Sequence, residues 1–335
     1  MEGEKRKYGH IQNKLPKLNK KPATLLFKNI KLPKDINLVI DNSNFLIGGD
    51  QQPYQQGNLG SCTTNALAFC FVYNCIQMNY EPFMPSRLDM YMNERIHMLQ
   101  LNYITDLKQD SGANISDCEY ILEKIGVIPE TVWEYCDDSG DITYYQQPEK
   151  IKTVTRVCGH DENMYWIINT EYELKQALSN RHVIICGISV YQSFESDKVK
   201  YTGIVPYPNY SQLDPDFDKQ KKSEELIGGH AIVIVGYTDD GYFIARNSWG
   251  VNWGLGFYDE INKKYNFDEY AGKMRGYFKI PVKYIINPNL ASDFYVVQHV
   301  GDTRNTINSV DNNISLKPTY AESTHLPDII IFPIN

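Results

Sequence analysis

Residues Gln56–Gln77 read QGNLGSCTTNALAFCFVYNCIQ. From Cys62 onward this stretch holds neither Gly nor Pro and is apolar on nearly every side, so it predicts a helix buried in a core. Ser61 stands at the cap position, and Gly57 and Gly60 permit a tight approach just before it. A cysteine in the first turn of such a helix meets backbone amides and the positive end of the macrodipole. Cys62 is therefore expected to have a lowered pKa and to act as a thiolate nucleophile.

On either side of that helix the pattern changes in a regular way. Residues 117–125, closed by Gly126, predict a helix with a glycine C-cap, and Glu171–Asn180 predicts another. In the second half, Val183–Val190, Ala231–Tyr237, Tyr242–Arg246 and Tyr277–Val282 are short β-rich runs separated by turn residues. Helices first and strands later predict an α+β fold of two lobes. Residues 206–228 read as a polar loop, and Leu255–Arg275 as a second insertion rich in Tyr, Asp and Lys.

A nucleophile needs a base, and the base needs an orienting group. Gly228-Gly229-His230-Ala231 opens a strand, and Asn247-Ser248-Trp249-Gly250 follows one strand later. An amide at Asn247 can orient the His230 imidazole, and Trp249 can screen that hydrogen bond from water. QGNLGSC, GGHAIVIVGY and NSWGVNWG, in that order, resemble the papain-like cysteine protease family. The likeness extends from about Leu32 to Val300.

The resemblance implies a papain-like fold, with the cleft between a helical lobe (about 50–140) and a β-rich lobe (about 141–300). These make up a peptidase domain at 32–300, preceded by a basic arm at 1–31 and followed by an extension at 301–335. It implies that Cys62 is the nucleophile, His230 the general base and later acid, and Asn247 the orienting residue, with Trp249 as its shield. The Gln56 side chain and the Cys62 backbone N–H are implied as the oxyanion hole. Gly112-Ala113 resembles the Gly-Gly pair that binds extended substrate backbone, although Ala113 departs from the second glycine. Ile115, Ala231 and Ser292 are expected to line the pocket for the side chain two positions before the cut. With Ser292 at its base, that pocket is expected to be uncharged and to favour Leu, Val or Phe.

Leu59 and Thr63 stand where the family's commonest pattern has Cys and Trp. This likens the chain to a disulfide-poor, cathepsin-like branch of bacteria and large DNA viruses, and it resembles cathepsin-B-like proteins of the mimivirus type. Cathepsin B's dipeptide-releasing loop carries adjacent histidines; Trp133–Trp166 has His160 alone, so endopeptidase action is expected. Zymogen segments of this family cross the cleft in the non-productive direction, and the short arm is expected either to do so or to bind anionic lipid or nucleic acid. Alternatives to the peptidase are an exopeptidase, an acyl-transferring relative and a catalytically silent binding protein.

Composition sets the remaining bounds. The 335 residues are 42% hydrophobic and 22% charged, enough for a sizeable core, and a net charge of −8 argues against wrapping nucleic acid. Met1–Pro22 carries seven Lys or Arg against two Glu, a net of +5 that leaves −13 on the rest. The longest apolar run, Ala66–Tyr73, is too short for a transmembrane segment. The charged start does not resemble a signal peptide, so an intracellular site, or packaging in a virus particle, is expected. Seven cysteines form no CxxC pair; Cys70, Cys75, Cys118 and Cys186 are expected in the core, and Cys136 with Cys158 is the one conceivable pair. His10, His97, His160, His182, His299 and His325 have no metal-ligand partner at useful spacing, and neither metal nor cofactor is expected. The partner implied is a polypeptide substrate.

Overall fold

A computed structural model of the chain describes residues 8–12, 21–40, 53–136, 147–157, 164–255, 258–259, 264–265, 274–298 and 300–310. Helix α1 (Cys62–Gln77) has the predicted bounds, and every residue from Cys62 to Cys75 is buried. A helix apolar on all sides is stable only when surrounded, and α1 packs against the sheet on one side and the other helices on the other.

Helix α2 (Arg87–Gln100) was not predicted. Its start is capped by Ser86, whose side chain accepts from the Asp89 amide. Its buried residues include Arg87, Asp89, Glu94 and Arg95, so no clean apolar stripe marks it in sequence. Two of these charges are paired: Arg87 with Glu130 at 2.8 Å and Asp89 with Arg156 at 2.7 Å. Helix α3 (Ile115–Tyr120) starts on an Asn114/Asp117 capping box. It runs on through a π turn, Ile121–Ile125, to Gly126 at φ 76°, the predicted glycine end. Helix α4 (Glu171–Ser179) is also close to its predicted span.

The strands are β1 (Ile36–Asn37), β2 (Met164–Trp166), β3 (Ile184–Tyr191), β4 (Leu226–Tyr237), β5 (Tyr242–Arg246), β6 (Tyr258–Asp259), β7 (Lys264–Tyr265), β8 (Tyr277–Pro281) and β9 (Ala291–Val297). Among the described residues one antiparallel sheet has the order β2-β9-β3-β4-β5-β8, with β1 also on β4, and β6 pairs only with β7. β2 and β9 were not predicted, and β4 begins five residues before its predicted start, taking in Leu226–Gly228 from the predicted loop. The remainder of that loop is pinned by Asn209, whose Nδ2 reaches the carbonyls of Asp218, Lys221 and Lys222. Asp214 adds a second pin, accepting from the hydroxyls of Tyr207 and Tyr210 at 2.8 Å each.

One irregularity bears on the site. Ile185 pairs with Tyr295 but Gly187 pairs with Ser292, so β9 carries one residue more than β3 over that interval. This is a β-bulge, and within it Asp293 has φ 55°. Helices and sheet together form the two-lobed α+β fold, with α1 lying along β4 between the parts.

Cys70, Cys75, Cys118 and Cys186 are buried thiols, and Cys118 Sγ lies 3.3 Å from Glu94 Oε1. Cys158, His160, His299, His325, most of the Leu255–Arg275 insertion and residues 311–335 lie outside the described residues. No described helix is long and apolar enough to cross a membrane, and the described residues include no metal-binding cluster of three or more His, Cys, Asp or Glu.

Candidate active site

Cys62 is the first residue of α1, and the sheet brings its neighbours to it. Strand β4 carries His230 and Ala231, and the chain leaving β5 places Asn247 beside His230. His230 Nε2 lies 2.8 Å from Asn247 Oδ1. The Ser248 backbone N–H, which can only donate, also reaches that oxygen at 2.8 Å. The atom is therefore an acceptor, so Nε2 carries the proton and Nδ1 is the basic nitrogen of the neutral ring. Trp249 stacks on the imidazole with 5.0 Å between centroids and is itself held edge-on by Phe194 and Trp253. His230 and Asn247 are buried, so the bond lies away from solvent.

Gln56 is clamped from two directions. Its Nε2 donates to Leu59 O at 2.9 Å, and its Oε1 accepts from Ser248 Oγ at 2.5 Å. The backbone is held as well, by Gln56 N to Ser248 O at 2.9 Å and Tyr135 Oη to Gln56 O at 2.7 Å. A primary amide has two N–H bonds, and Leu59 takes one of them. Ser61 occupies the N-cap position, but its side chain does not cap the helix. It pairs instead with Tyr135 Oη at 2.6 Å and Asn65 Nδ2 at 3.0 Å.

The opposite edge of the cleft is Gly112-Ala113. Beneath it Arg95, wholly buried, donates to Ser111 Oγ at 2.6 Å and Gly112 O at 2.8 Å, and also to the carbonyls of Asp106 and Gln109. Asp110 ties the loop to the Gly60 amide at 2.9 Å and accepts from Tyr91 Oη. Sequence reading missed Arg95, Asp110 and Tyr135, which hold the site through backbone groups, and Ser248, which holds the Gln56 side chain and was visible inside the NSWG motif.

Residues Tyr8–Ile11 pass between Ala113 and Gly229. Gly9 O accepts from Ala113 N at 2.7 Å and Ile11 N donates to Ala113 O at 3.0 Å, a parallel bridge centred on His10. Both bonds use the Ala113 backbone, so its methyl does not prevent the role expected of a glycine. His10 N donates to Gly229 O at 2.9 Å on the other wall. Tyr8 packs edge-on against His230 and Trp249, with its hydroxyl 2.5 Å from Glu195 Oε1. Gly9 passes where no side chain fits: a Cβ there would sit 1.8 Å from Gly60 O.

Burial pushes the Cys62 thiol up to about 12; backbone amides of Ala231 and Gly9 pull the other way, Glu94 adds to the rise, and the Thr63 amide opposes it. In this covered state the expected lowering by the helix terminus is overturned, because desolvation of a fully buried sulfur outweighs the nearby amides.

His10, read as solvated or packed, fills a pocket beside this centre. Its ring lies over Gly187, where a Cβ would be 1.9 Å from Nε2. Gly187 is paired with Ala231 on β4 and with Ser292 on β9. Residues directly opposite share a face of a sheet, so Ala231 and Ser292 flank the imidazole. Ile115 is buried at the start of α3, just after the Gly112-Ala113 edge. The expected absence of charge is not met: Asp293 Oδ2 lies 3.5 Å from His10 Nε2, with both side chains 3% exposed.

Comparison with known proteins gives the same picture. Residues 105–275 match the sequence profile of the papain family cysteine proteases, a range that includes Gly112, His230 and Asn247 and begins after Cys62. An uncharacterized peptidase C1-like protein of Acanthamoeba polyphaga mimivirus is 34% identical over 324 residues, covering 92% of this chain and 91% of that protein. Xylellain, a cysteine protease from Xylella fastidiosa, superposes with a TM-score of 0.63 at 28% identity, over 89% of this chain and 98% of that one. The procathepsin B S9 of Trypanosoma congolense, at 13% identity and TM-score 0.56 over 82% of this chain and 80% of that one, shares the fold.

Proposed function

The chain belongs to the papain family of cysteine proteases, and from that premise we propose that it is a thiol endopeptidase kept latent by its own residues Tyr8–Ile11. Its substrate is a polypeptide. With the arm displaced, His230 Nδ1 takes the Cys62 proton, and the thiolate attacks the scissile carbonyl carbon. Negative charge moves to the carbonyl oxygen, which receives the Cys62 backbone N–H and the second N–H of Gln56. The imidazolium, held by Asn247 through Nε2, gives its proton to the leaving amine as the C–N bond breaks. Water then gives a proton to His230 and attacks the thioester; the acid product leaves and the thiol is restored.

One observation supports both parts of this reading: an extended peptide segment already lies across the cleft and does so unproductively. Gly9 offers its amide to Cys62 Sγ, whereas its carbonyl is taken by the Ala113 amide at 2.7 Å. A carbonyl held there is not presented for attack. Endopeptidase action is favoured because four consecutive residues run from the Trp249 side to the Ala113 side of Cys62, so the cleft accepts a chain that continues past the nucleophile.

The test is hydrolysis of an internally quenched peptide blocked at both ends, compared with release of a C-terminal dipeptide. The blocked peptide is expected to be cut faster, with Cys62→Ala abolishing turnover and labelling by a thiol-directed epoxide. Turnover retained by Cys62→Ala overturns the assignment; faster dipeptide release overturns the endopeptidase mode; faster amine incorporation than hydrolysis would make the chain an acyl transferase.

A further inference from the structure

We infer that Asp293 is the specificity-determining carboxylate of this cleft, and that the substrate side chain two residues before the cut is basic, arginine or lysine. The inference rests on the peptidase reading above. It starts from the β9 bulge. In a regular strand Asp293 would follow Ser292 onto the opposite face of the sheet. The extra residue of β9 breaks that alternation, and the left-handed backbone at Asp293, φ 55°, turns its carboxylate to the face that Gly187 leaves open. Left-handed backbone is unfavourable for most side chains and is borne best by Gly, Asn and Asp. Ser292 Oγ steadies the same carboxylate oxygen at 3.1 Å.

The pocket already holds a nitrogen base. His10 presents Nε2 toward Asp293 Oδ2 but stops at 3.5 Å, beyond the 2.7–3.2 Å range of an N–H···O bond. A longer side chain with a terminal ammonium or guanidinium closes that gap and forms a charge-assisted hydrogen bond in a site almost without solvent. Leucine or phenylalanine in the same place would strip water from the carboxylate and return nothing to it. The missing side chain at Gly187 provides the width, and Ala231 and Ser292, both small, line the sides.

The experiment uses a library of internally quenched peptides varied at that one position, with the full-length chain and its Gly9→Leu, Asp293→Asn and doubly substituted forms. Asparagine keeps the tolerance for left-handed backbone and removes the charge. Arginine and lysine peptides are expected to show kcat/KM about tenfold or more above leucine peptides, and Asp293→Asn to erase that ratio while leucine peptides are still cut. A wild-type preference for Leu, Val or Phe overturns the proposal while leaving the peptidase reading intact. So does a basic preference that survives Asp293→Asn. If no peptide is cut by any form and an epoxide fails to label Cys62, the peptidase reading falls and this inference falls with it.

Discussion

At the scale of single residues, the site depends on atoms that hold other atoms. Asn247 Oδ1 accepts from both His230 Nε2 and the Ser248 amide, which fixes the ring tautomer. Ser248 then does a second task through its hydroxyl, which donates to Gln56 Oε1 at 2.5 Å and fixes the amide that is proposed to meet the oxyanion. Removing the hydroxyl leaves the Gln56 side chain held by its bond to Leu59 O. A net hydrogen bond is worth about 1 kcal/mol, so Ser248→Ala is expected to lower kcat about fivefold with little change in KM. Separate determination of kcat and KM on the blocked peptide checks this, and an unchanged kcat would show that Gln56 does not need Ser248. The residues proposed to react, Cys62, His230 and Asn247, could be picked out in sequence because each sits in a short motif. Ser248 lay within one of those motifs, yet its partner stands 192 residues away, so its role emerges only from the fold.

Among the elements, legibility followed the apolar pattern. Helix α1 was read with its true bounds because nearly all of it is apolar and it follows a Gly-Ser turn. Helix α2 escaped because its buried face contains charges that are satisfied by distant partners, Glu130 and Arg156. Strand β9 escaped for a related reason: its bulge breaks the alternation that marks a strand. Arg95 shows what such a buried charge can do. From α2 its guanidinium gathers Ser111, Gly112, Asp106 and Gln109, and so shapes the loop whose edge binds peptide backbone. Arg95→Met leaves several buried acceptors without donors, and hydrogen bonds to a charged group are worth about 1.5–3 kcal/mol each. The expected outcome is a loss of about 3 kcal/mol or more in urea unfolding, together with a raised KM in whatever fraction remains folded. Arg95→Lys should rescue little, since one ammonium cannot span the fork. A lysine variant with wild-type stability and KM would contradict this account.

For the whole molecule, the question is what a covered active site does to its own chemistry. The arm supplies Gly9 at the narrowest point, between Gly60 and Gly112, where a Cβ at 1.8 Å from Gly60 O cannot be accommodated by moving a flexible side chain, because the obstacle is backbone. Gly9→Leu is therefore expected to expel Tyr8–Ile11 while leaving α1, β4 and the proposed catalytic residues in place. Two consequences follow together. Peptidase activity of the full-length chain should rise, because Ala113 is freed to bind substrate backbone. The thiol should also become more acidic. In the covered chain burial pushes Cys62 up to about 12, above the ordinary 9.0, and slow reaction with iodoacetamide at neutral pH is the expected outcome. A thiol value raised by folding stabilises the covered state fully below pH 9, and that contribution is lost as pH climbs from 9 toward 12. With the arm out, water reaches the sulfur, the desolvation that raises its pKa weakens, and the helix terminus and the imidazole act unopposed. The rate of Cys62 alkylation against pH should then move to lower pH in Gly9→Leu, with Cys62→Ala as the blank for the other thiols. An alkylation profile and a peptidase rate both unchanged by Gly9→Leu would mean that the arm does not hold the site latent. A rate that rises with an unmoved profile would mean that the arm blocks substrate without governing the thiol.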